Sequence, residues 1–395
     1  MRSPLLGGLS PEAFMKKHWQ KKPLLVRQAF PDFADPLSPD ELAGLATEPG
    51  CRARLVQEKG GPKPWTLEHG PFKTKRLKGL PPSHWTLLVS DVNQYVDAAA
   101  AMLDRFSFVP HWRMDDLMVS FASKHGTVGP HVDSYDVFLV QGMGRRRWQI
   151  SRQKDQTFRP NLPLKILRKF EPEAEWILAP GDMLYLPPGY AHHGVALEPC
   201  MTYSVGFRAP RRDGLLKDLF NLPDEWLQDF GDELYADPEL PTTARPGELS
   251  PAAMKKIATM VSGPLTRPDV LGRWFAAYST RPRSDAAVLP AVKRAPPALL
   301  ARRLAAGGTV WRTDLWRIAY LRLPGGDVAF FAGGVEYVLP KGSEAMVEEL
   351  SGRRAIDAFR LSKALPRAVA KRTACLAFLA DLTAKGVLDL GISQD

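Results

Sequence analysis

Pro130-His131-Val132-Asp133-Ser134-Tyr135-Asp136-Val137-Phe138-Leu139-Val140-Gln141-Gly142 is the stretch on which the reading turns. Its His-x-Asp sets an imidazole and a carboxylate two residues apart. On an extended strand both point to one face and can hold one cation.

The complement lies downstream in Gly181-Asp182-Met183-Leu184-Tyr185-Leu186-Pro187-Pro188-Gly189-Tyr190-Ala191-His192. A Gly-Asp turn feeds a short apolar strand, a Pro-Pro-Gly corner reverses the chain, and the next strand opens on a histidine. Two imidazoles and one carboxylate on one face of a metal form the facial triad of non-haem Fe(II) oxygenases. The Gly-(x5)-Pro-x-Gly-x-x-His delivery is the second motif of cupin-type double-stranded β-helix barrels, relatives of the jelly roll. His193 follows His192, and neighbours on a strand face opposite ways, so only one of them can serve; the spacing selects His192. His125 lies in a glycine-containing loop and is expected in solvent.

Between the two motifs, Gly142-Met143-Gly144 turns the chain into Arg145-Arg146-Arg147-Trp148-Gln149-Ile150. By period two, Arg146 shares the inward face with Trp148 and Ile150. A buried guanidinium needs an anion, and a carboxylate is its natural bidentate partner. A dicarboxylate such as 2-oxoglutarate and a structural salt bridge inside the barrel both answer that need. Upstream, Asp116, Met118 and Ser120 share one face of a strand; Asp116 reads either as a satisfied core carboxylate or as a substrate contact.

At 395 residues with a formal charge of +10, the chain has room for two or three domains. No apolar run has the length of a membrane span and no leader-like start is present, so a cytoplasmic protein without membrane contact is expected. Cys51, Cys200 and Cys375 are too few and scattered for a disulfide framework or a cysteine zinc site. From Arg281 onward, 18 Lys and Arg stand against 11 Asp and Glu, so much of the excess charge belongs to the C-terminal third.

Ser10-Pro11 and Ser38-Pro39 mark helix starts. The first helix runs into Lys16-Lys17-His18-Trp19-Gln20-Lys21-Lys22, a solvated face or an RNA contact. Residues 52–68 read as a hairpin tipped by Gly60-Gly61-Pro62, 85–89 as a strand, and 91–104 as an amphipathic helix with Val92, Tyr95, Val96 and Ala99 inward. Met201 to Pro210 forms the last barrel strand, with Thr202 and Ser204 on one face. Helices follow over 215–220, 224–234 and 251–262, joined by loops around Pro238, Pro241 and Pro246; residues 282–297 read as a linker. The remainder reads as helix 297–305, strands 311–323, 328–331 and 335–339, and helices 343–350 and 367–385. Such a basic α+β unit suits a winged-helix-like module, for nucleic acid or for protein contact.

With these residues in view, the chain resembles the bacterial JmjC-type ribosomal oxygenases that hydroxylate the β-carbon of an arginine in a large-subunit ribosomal protein. The resemblance covers nearly the whole chain. It rests on His18-Trp19-Gln20-Lys21-Lys22-Pro23, His69-Gly70-Pro71-Phe72, Asp115-Asp116-Leu117-Met118-Val119-Ser120-Phe121, Gly129-Pro130-His131-Val132-Asp133, Gly144-Arg145-Arg146-Arg147-Trp148 and Tyr203-Ser204-Val205-Gly206-Phe207-Arg208-Ala209-Pro210. It implies a mainly β fold with α elements: a JmjC/cupin double-stranded β-helix over 1–209, a helical dimerisation region over 210–285 and a winged-helix-like domain over 286–395. It implies His131, Asp133 and His192 as ligands of Fe(II), and Arg146 as the anchor of 2-oxoglutarate, with O2 as oxidant. Asp116, Met118, Tyr135 and Ser204 match positions of the substrate pocket, Asp116 facing the guanidinium. The implied partners are a ribosomal protein substrate, a second copy of the chain and RNA at the basic C-terminal domain. One departure is His193, where a family relative carries an acidic residue. Two other readings remain: a same-fold oxygenase with another protein side chain or an RNA nucleoside as target, and a non-catalytic assembly protein.

Overall fold

The computed structural model describes residues 4–59, 64–221, 234, 236, 250–265, 267–282, 294–314 and 316–390. The hairpin tip at 60–62, most of the helix read at 224–234, the loops around Pro238, Pro241 and Pro246, and most of the linker at 282–297 lie outside them. The chain forms two compact units, one built on Met1–Ala209 and one on the residues from Pro210 onward.

In the first unit the strands are β1 (Leu24–Val26), β2 (Ala53–Glu58), β3 (Trp65–His69), β4 (Trp85–Val89), β5 (Met114–Ala122), β6 (His131–Val132), β7 (Val137–Gln141), β8 (Arg146–Ser151), β9 (Ala174–Leu178), β10 (Met183–Leu186), β11 (Ala191–Ala196) and β12 (Cys200–Phe207). Among the described residues they make two antiparallel sheets, ordered β1-β10-β7-β12-β5-β4-β2-β3 and β6-β11-β8-β9. Alternation along β7 explains how they stack. Phe138 and Val140 pack with Phe14, Leu42, Leu103 and Tyr203 on the helical side. Val137 and Leu139 join Trp148, Ile150 and Leu178 of the smaller sheet. Two sheets closing over a shared interior give the double-stranded β-helix that the motifs predict.

The helix starts behave as read. Ser10 caps Pro11–Lys17, and Ser38 caps Pro39–Leu45 with a full capping box to Glu41. The helix expected over 91–104 does not form as one piece. Asp91 takes a left-handed backbone (φ 57°) and Val96 an extended one, which leaves a 3-10 turn at Val92–Gln94 and an α-helix at Asp97–Leu103. Tyr95 consequently lies on the surface, its hydroxyl donating to the Gly50 carbonyl. All three cysteines are free and buried.

In the second unit, helices Arg212–Leu219, Pro251–Leu265 and Pro268–Thr280 precede Pro297–Ala306; the third of these is not among the helices expected from the sequence. The single strand expected over 311–323 is two, β13 (Thr309–Arg312) and β14 (Ile318–Arg322), which belong to different sheets. β14 forms the expected meander with β15 (Val328–Ala332) and β16 (Val335–Leu339), while β13 lies between β17 (Ala355–Asp357) and β18 (Leu388–Asp389). Helices Glu344–Gly352, Ala358–Ala364 and Val369–Ala384 close this core around Leu361, Phe378 and Leu379.

One buried carboxylate ties the N-terminal arm to the barrel. Asp136, fully buried, accepts from Tyr185 Oη (2.6 Å), Gln20 Nε2 (3.0 Å) and Arg113 Nη2 (3.2 Å), while Tyr185 Oη also accepts from the Gln20 backbone N–H (2.8 Å). Tyr185→Phe removes a hydrogen bond to a charged acceptor and strands the Gln20 donor. A loss of about 2 kcal/mol is expected, measured as a lower thermal midpoint; an unchanged midpoint would show that the hydroxyl contributes nothing.

Candidate metal centre

β6 is two residues long, and its pairing with β11 sets the site. Ala191 stands opposite Val132, and His192 opposite His131. The two imidazoles are therefore cross-strand neighbours, with ring centroids 4.2 Å apart. Asp133 follows at the end of β6, its Oδ2 lying 3.8 Å from His131 Nε2 and 3.5 Å from His192 Nε2. One donor atom from each residue fits within 4.8 Å of the others, and among the described residues no other group of His, Cys, Asp and Glu does so. The Pro-Pro-Gly corner reaches back here, because the Gly189 N–H donates to the Asp133 carbonyl (2.9 Å).

Each imidazole is oriented by its own backbone. His131 Nδ1 lies 2.9 Å from the Gly129 carbonyl and His192 Nδ1 lies 3.0 Å from the Tyr190 carbonyl. A carbonyl only accepts, so both rings carry their proton on Nδ1 and turn the Nε2 lone pair toward Asp133. Burial, and next the neighbouring His131, lowers the pKa of His192 to about 4, which keeps it a neutral ligand. His192 is buried, while His131 and Asp133 are about a quarter exposed and form the accessible side. The donor set of two imidazoles and one carboxylate suits Fe(II).

His193 points the other way, paired across from Gln149 and packed edge-on against Phe170. His125 is exposed in its loop, as expected.

Arg146 of β8 stands opposite Ala196 of β11 and is 3% exposed. Its Nη1 reaches Thr202 Oγ1 and its Nη2 the Gly194 carbonyl, each at a long 3.4 Å, and its Nε has no partner. Among the described residues no carboxylate pairs with it, so the alternative of a structural salt bridge does not hold. Burial lowers its pKa, yet a guanidinium stays charged. An uncompensated buried cation beside the triad fits a carboxylate-bearing cosubstrate. Its place depends on a glycine that sequence reasoning missed. A Cβ on Gly194 would stand 2.7 Å from the Trp148 ring and 2.8 Å from Arg146 Nε. That contact joins separate strands, and no local pattern signals it.

Asp116 and Met118 of β5 and Ser204 of β12 line the same interior; Ser204 is the cross-strand partner of Met118. A Cβ on Gly206 would lie 3.5 Å from Asp116 Oδ1 and 4.0 Å from Tyr135 Cε2, which brings those two side chains over one point. Asp116 Oδ2 accepts the Asp91 N–H (3.1 Å), and no cationic side chain pairs with it among the described residues. Burial, followed by repulsion from Asp91 and Asp115, raises its pKa to about 7. The core-carboxylate reading of Asp116 thus accounts for one oxygen only.

Comparison with known proteins adds a family context. The chain matches the JmjC domain family over residues 101–215 and the ROXA-like winged helix family over residues 257–389. It is 40% identical over 279 residues to the ribosomal protein uL16 3-hydroxylase of Escherichia coli, covering 70% of this chain and 73% of that protein. It is 35% identical to a probable ribosomal oxygenase of Haemophilus influenzae over 63% of each chain. The fold is similar to the solved structure of YcfD, a ribosomal oxygenase from Escherichia coli, in complex with cobalt and 2-oxoglutarate. That match has a TM-score of 0.82 at 35% identity and covers 96% of this chain and 98% of that one.

Isothermal titration with Fe(II) under anaerobic conditions, or with Co(II), is expected to give one equivalent per chain. His131→Ala and His192→Ala should abolish it and His193→Ala should retain it. Stoichiometric binding lost in His193→Ala alone would move the ligand to the outer face.

Proposed function

The chain belongs to the JmjC-domain ribosomal oxygenases and is a 2-oxoglutarate-dependent dioxygenase with a C-terminal winged-helix domain, and from that premise we propose that it hydroxylates the β-carbon of an arginine in a large-subunit ribosomal protein. In this reading His131, Asp133 and His192 hold Fe(II), and Arg146 binds the distal carboxylate of 2-oxoglutarate. Iron with 2-oxoglutarate and O2 supplies the oxidising power: one oxygen atom enters a C–H bond of the substrate, and the other leaves in succinate as the cosubstrate loses CO2.

The residues of the chain do the positioning. Both imidazoles present neutral Nε2 atoms. Arg146 supplies a desolvated cation whose Nε and long-range Nη contacts are available to a carboxylate. Asp116 takes the substrate guanidinium, with Tyr135, Met118 and Ser204 bounding the stem so that the β-carbon lies nearest the metal. The single observation that supports a cationic side chain such as arginine is the half-buried Asp116 carboxylate with one oxygen unpaired, since a partly desolvated carboxylate is stabilised by a cation and not by a neutral target. The same observation weighs against an RNA nucleoside as the target.

For the rest of the chain we assign the division 1–209, 210–285 and 286–395, with the middle helices joining two copies. Leu216, Phe220, Met254, Ile257 and Val261 are exposed apolar residues of those helices and support self-association. An RNA contact by the basic C-terminal domain would bring the enzyme to ribosomal material. No helix among the described residues is long and apolar enough to cross a membrane; a ribosomal substrate implies a cytoplasmic site of action.

The test is mass spectrometry of recombinant uL16 incubated with enzyme, Fe(II), ascorbate and 2-oxoglutarate, with a gain of about 16 Da on one arginine expected only when the cosubstrate is present. A gain on another residue type would discard the arginine and keep the oxygenase. Arg146→Ala should raise the KM for 2-oxoglutarate at least about tenfold through loss of a charge-assisted pair. Because ionised Asp116 is the form that binds a guanidinium, the KM for uL16 should fall as pH rises from 6 to 8, and Asp116→Asn should raise it and flatten that dependence. A KM insensitive to pH in the native enzyme would remove Asp116 from the pocket.

A further inference from the structure

Asp91 is one of the few non-glycine residues here with a left-handed backbone, φ 57° and ψ 29°. Asp tolerates that conformation better than most residues but gains nothing from it locally. What the conformation achieves is direction. It turns the Asp91 N–H toward β5, where it donates to Asp116 Oδ2 (3.1 Å). Two residues later Asn93 Oδ1 accepts from the Leu117 N–H (3.0 Å) in a buried contact. Consecutive residues of β5 are thus gripped by alternate residues of one turn.

The turn is itself anchored. The Ser90 N–H donates to the Arg52 carbonyl (2.9 Å), which continues the pairing of β4 with β2 beyond Ala53 and Val89. Arg52 then reaches over with Nε and Nη2 to Asp91 Oδ2. Asp91 is 7% exposed, so this ion pair is shielded from water on its carboxylate side.

We propose that the Ser90–Asn93 turn is the positioning element of the substrate pocket, with Asp91 and Arg52 aiming Asp116 so that it offers Oδ1 alone to the incoming cation. This rests on the reading that Asp116 receives the substrate guanidinium. Oδ2 is committed to the Asp91 N–H. Oδ1 faces the space over Gly206 beside Tyr135 and has no partner among the described residues. The guanidinium is therefore held end-on through one oxygen, not in a two-oxygen fork. Lysine, with a single point of charge, satisfies such a carboxylate too, so discrimination for arginine falls to the walls of the pocket. Asp91 is a positioning residue: it does not touch the substrate.

The charge of Asp91 also acts on Asp116. The charged or titratable groups around Asp116 are Asp91 and Arg52 from the turn and its anchor, Asp115 on its own strand, Tyr135 across the pocket, and Arg54 near Met118. Removing the Asp91 charge while keeping its N–H removes a repulsion on Asp116, which favours the ionised form.

The experiment is steady-state kinetics on uL16 with the holoenzyme across pH 6 to 8.5 for Asp91→Ala, Asp91→Asn and Arg52→Gln. Asp91→Ala loses the ion pair and disfavours the left-handed turn, so the KM for uL16 should rise about tenfold with kcat and the KM for 2-oxoglutarate held within about twofold. Asn adopts the left-handed region and so keeps the backbone N–H aimed at Asp116, so Asp91→Asn should recover most of that KM and shift the midpoint of the KM–pH curve to lower pH. Arg52→Gln should raise KM without that downward shift. Equal effects of Ala and Asn with an unmoved midpoint would overturn the proposal. So would a joint fall of kcat, 2-oxoglutarate affinity and thermal midpoint, the mark of a merely structural turn. Asp116→Asn is the separate control: a native KM in that variant refutes the pocket reading itself, whatever the Asp91 variants do.

Discussion

The register between β6 and β11 is the constraint on which the site depends. A strand of two residues cannot hold itself in place, and a slip of one position would send His192 outward and bring His193 inward. Several bonds fix the register from outside the pair. The Leu167 N–H donates to the Pro130 carbonyl and the Gly189 N–H to the Asp133 carbonyl, which pins the segment at both ends. Just beyond, Asp136 is fastened by three donors, and the Phe207 N–H takes its carbonyl. The backbone of Asp133 is thus held while its side chain lies beside both imidazoles. The N-terminal arm takes part at a distance, because Gln20 and Trp19 close over Tyr185, with Trp19 stacked on the Tyr185 ring.

The interior of this barrel is polar where a packed core would be apolar. Arg146 and His192 are each about 3% exposed, Thr202 and Ser204 are buried, and only long contacts reach the guanidinium. Burying a cation without a counter-ion is among the more costly arrangements in a folded chain. It persists because the surrounding shell is firmly packed: the apolar faces of β5, β7 and β12 rest on Leu42, Leu55, Leu103 and Phe106. Trp148 gives partial relief, with the Arg146 guanidinium 5.1 Å from its ring centroid. The remaining charge favours an anionic ligand, whose binding relieves a strain that the fold has already met.

Much of this was legible in the sequence because it is written in short spacings. His-x-Asp and the Pro-x-Gly-x-x-His delivery fix residues on strand faces by period two, and Arg146 follows from the same rule. The lack of a protein partner for Arg146 was not legible, since both a cosubstrate and a salt bridge suited the pattern and only the fold excludes the second. Gly194 escaped notice because the side chains it makes room for lie on a neighbouring strand. Asp91 was misread because an Asp before Val92 and Asn93 resembles a helix start, whereas its side chain and N–H are both taken by residues distant in sequence. The strand expected over 311–323 failed for a related reason: alternation continues across Thr309–Arg312 and Ile318–Arg322, but their hydrogen-bonding partners are different strands.

The proposed reading has a basic protein bind a basic side chain, which poses an electrostatic problem whose resolution is a matter of range. The formal charge of +10 acts through solvent, where salt screens it beyond about 8 Å. Around the proposed pocket the nearby acidic charges are Asp91, Asp115 and Asp116, close together and partly desolvated, and a cation in contact with Asp116 would feel them far more strongly than it feels the net charge. Arg52 and Arg208 offset Asp91 and Asp115 by direct pairing, so Asp116 is the member of the cluster left to act. Clustering has a second effect. Burial raises the pKa of Asp116 first, and repulsion from Asp91 and Asp115 raises it further, to about 7. In the proposed reading Asp116 therefore shares a proton with solvent until a cation arrives, so the free enzyme avoids an uncompensated, partly desolvated anion and the bound substrate would complete an ion pair. In that reading, recognition of a cation by a basic protein is confined to the one place where its charge is answered.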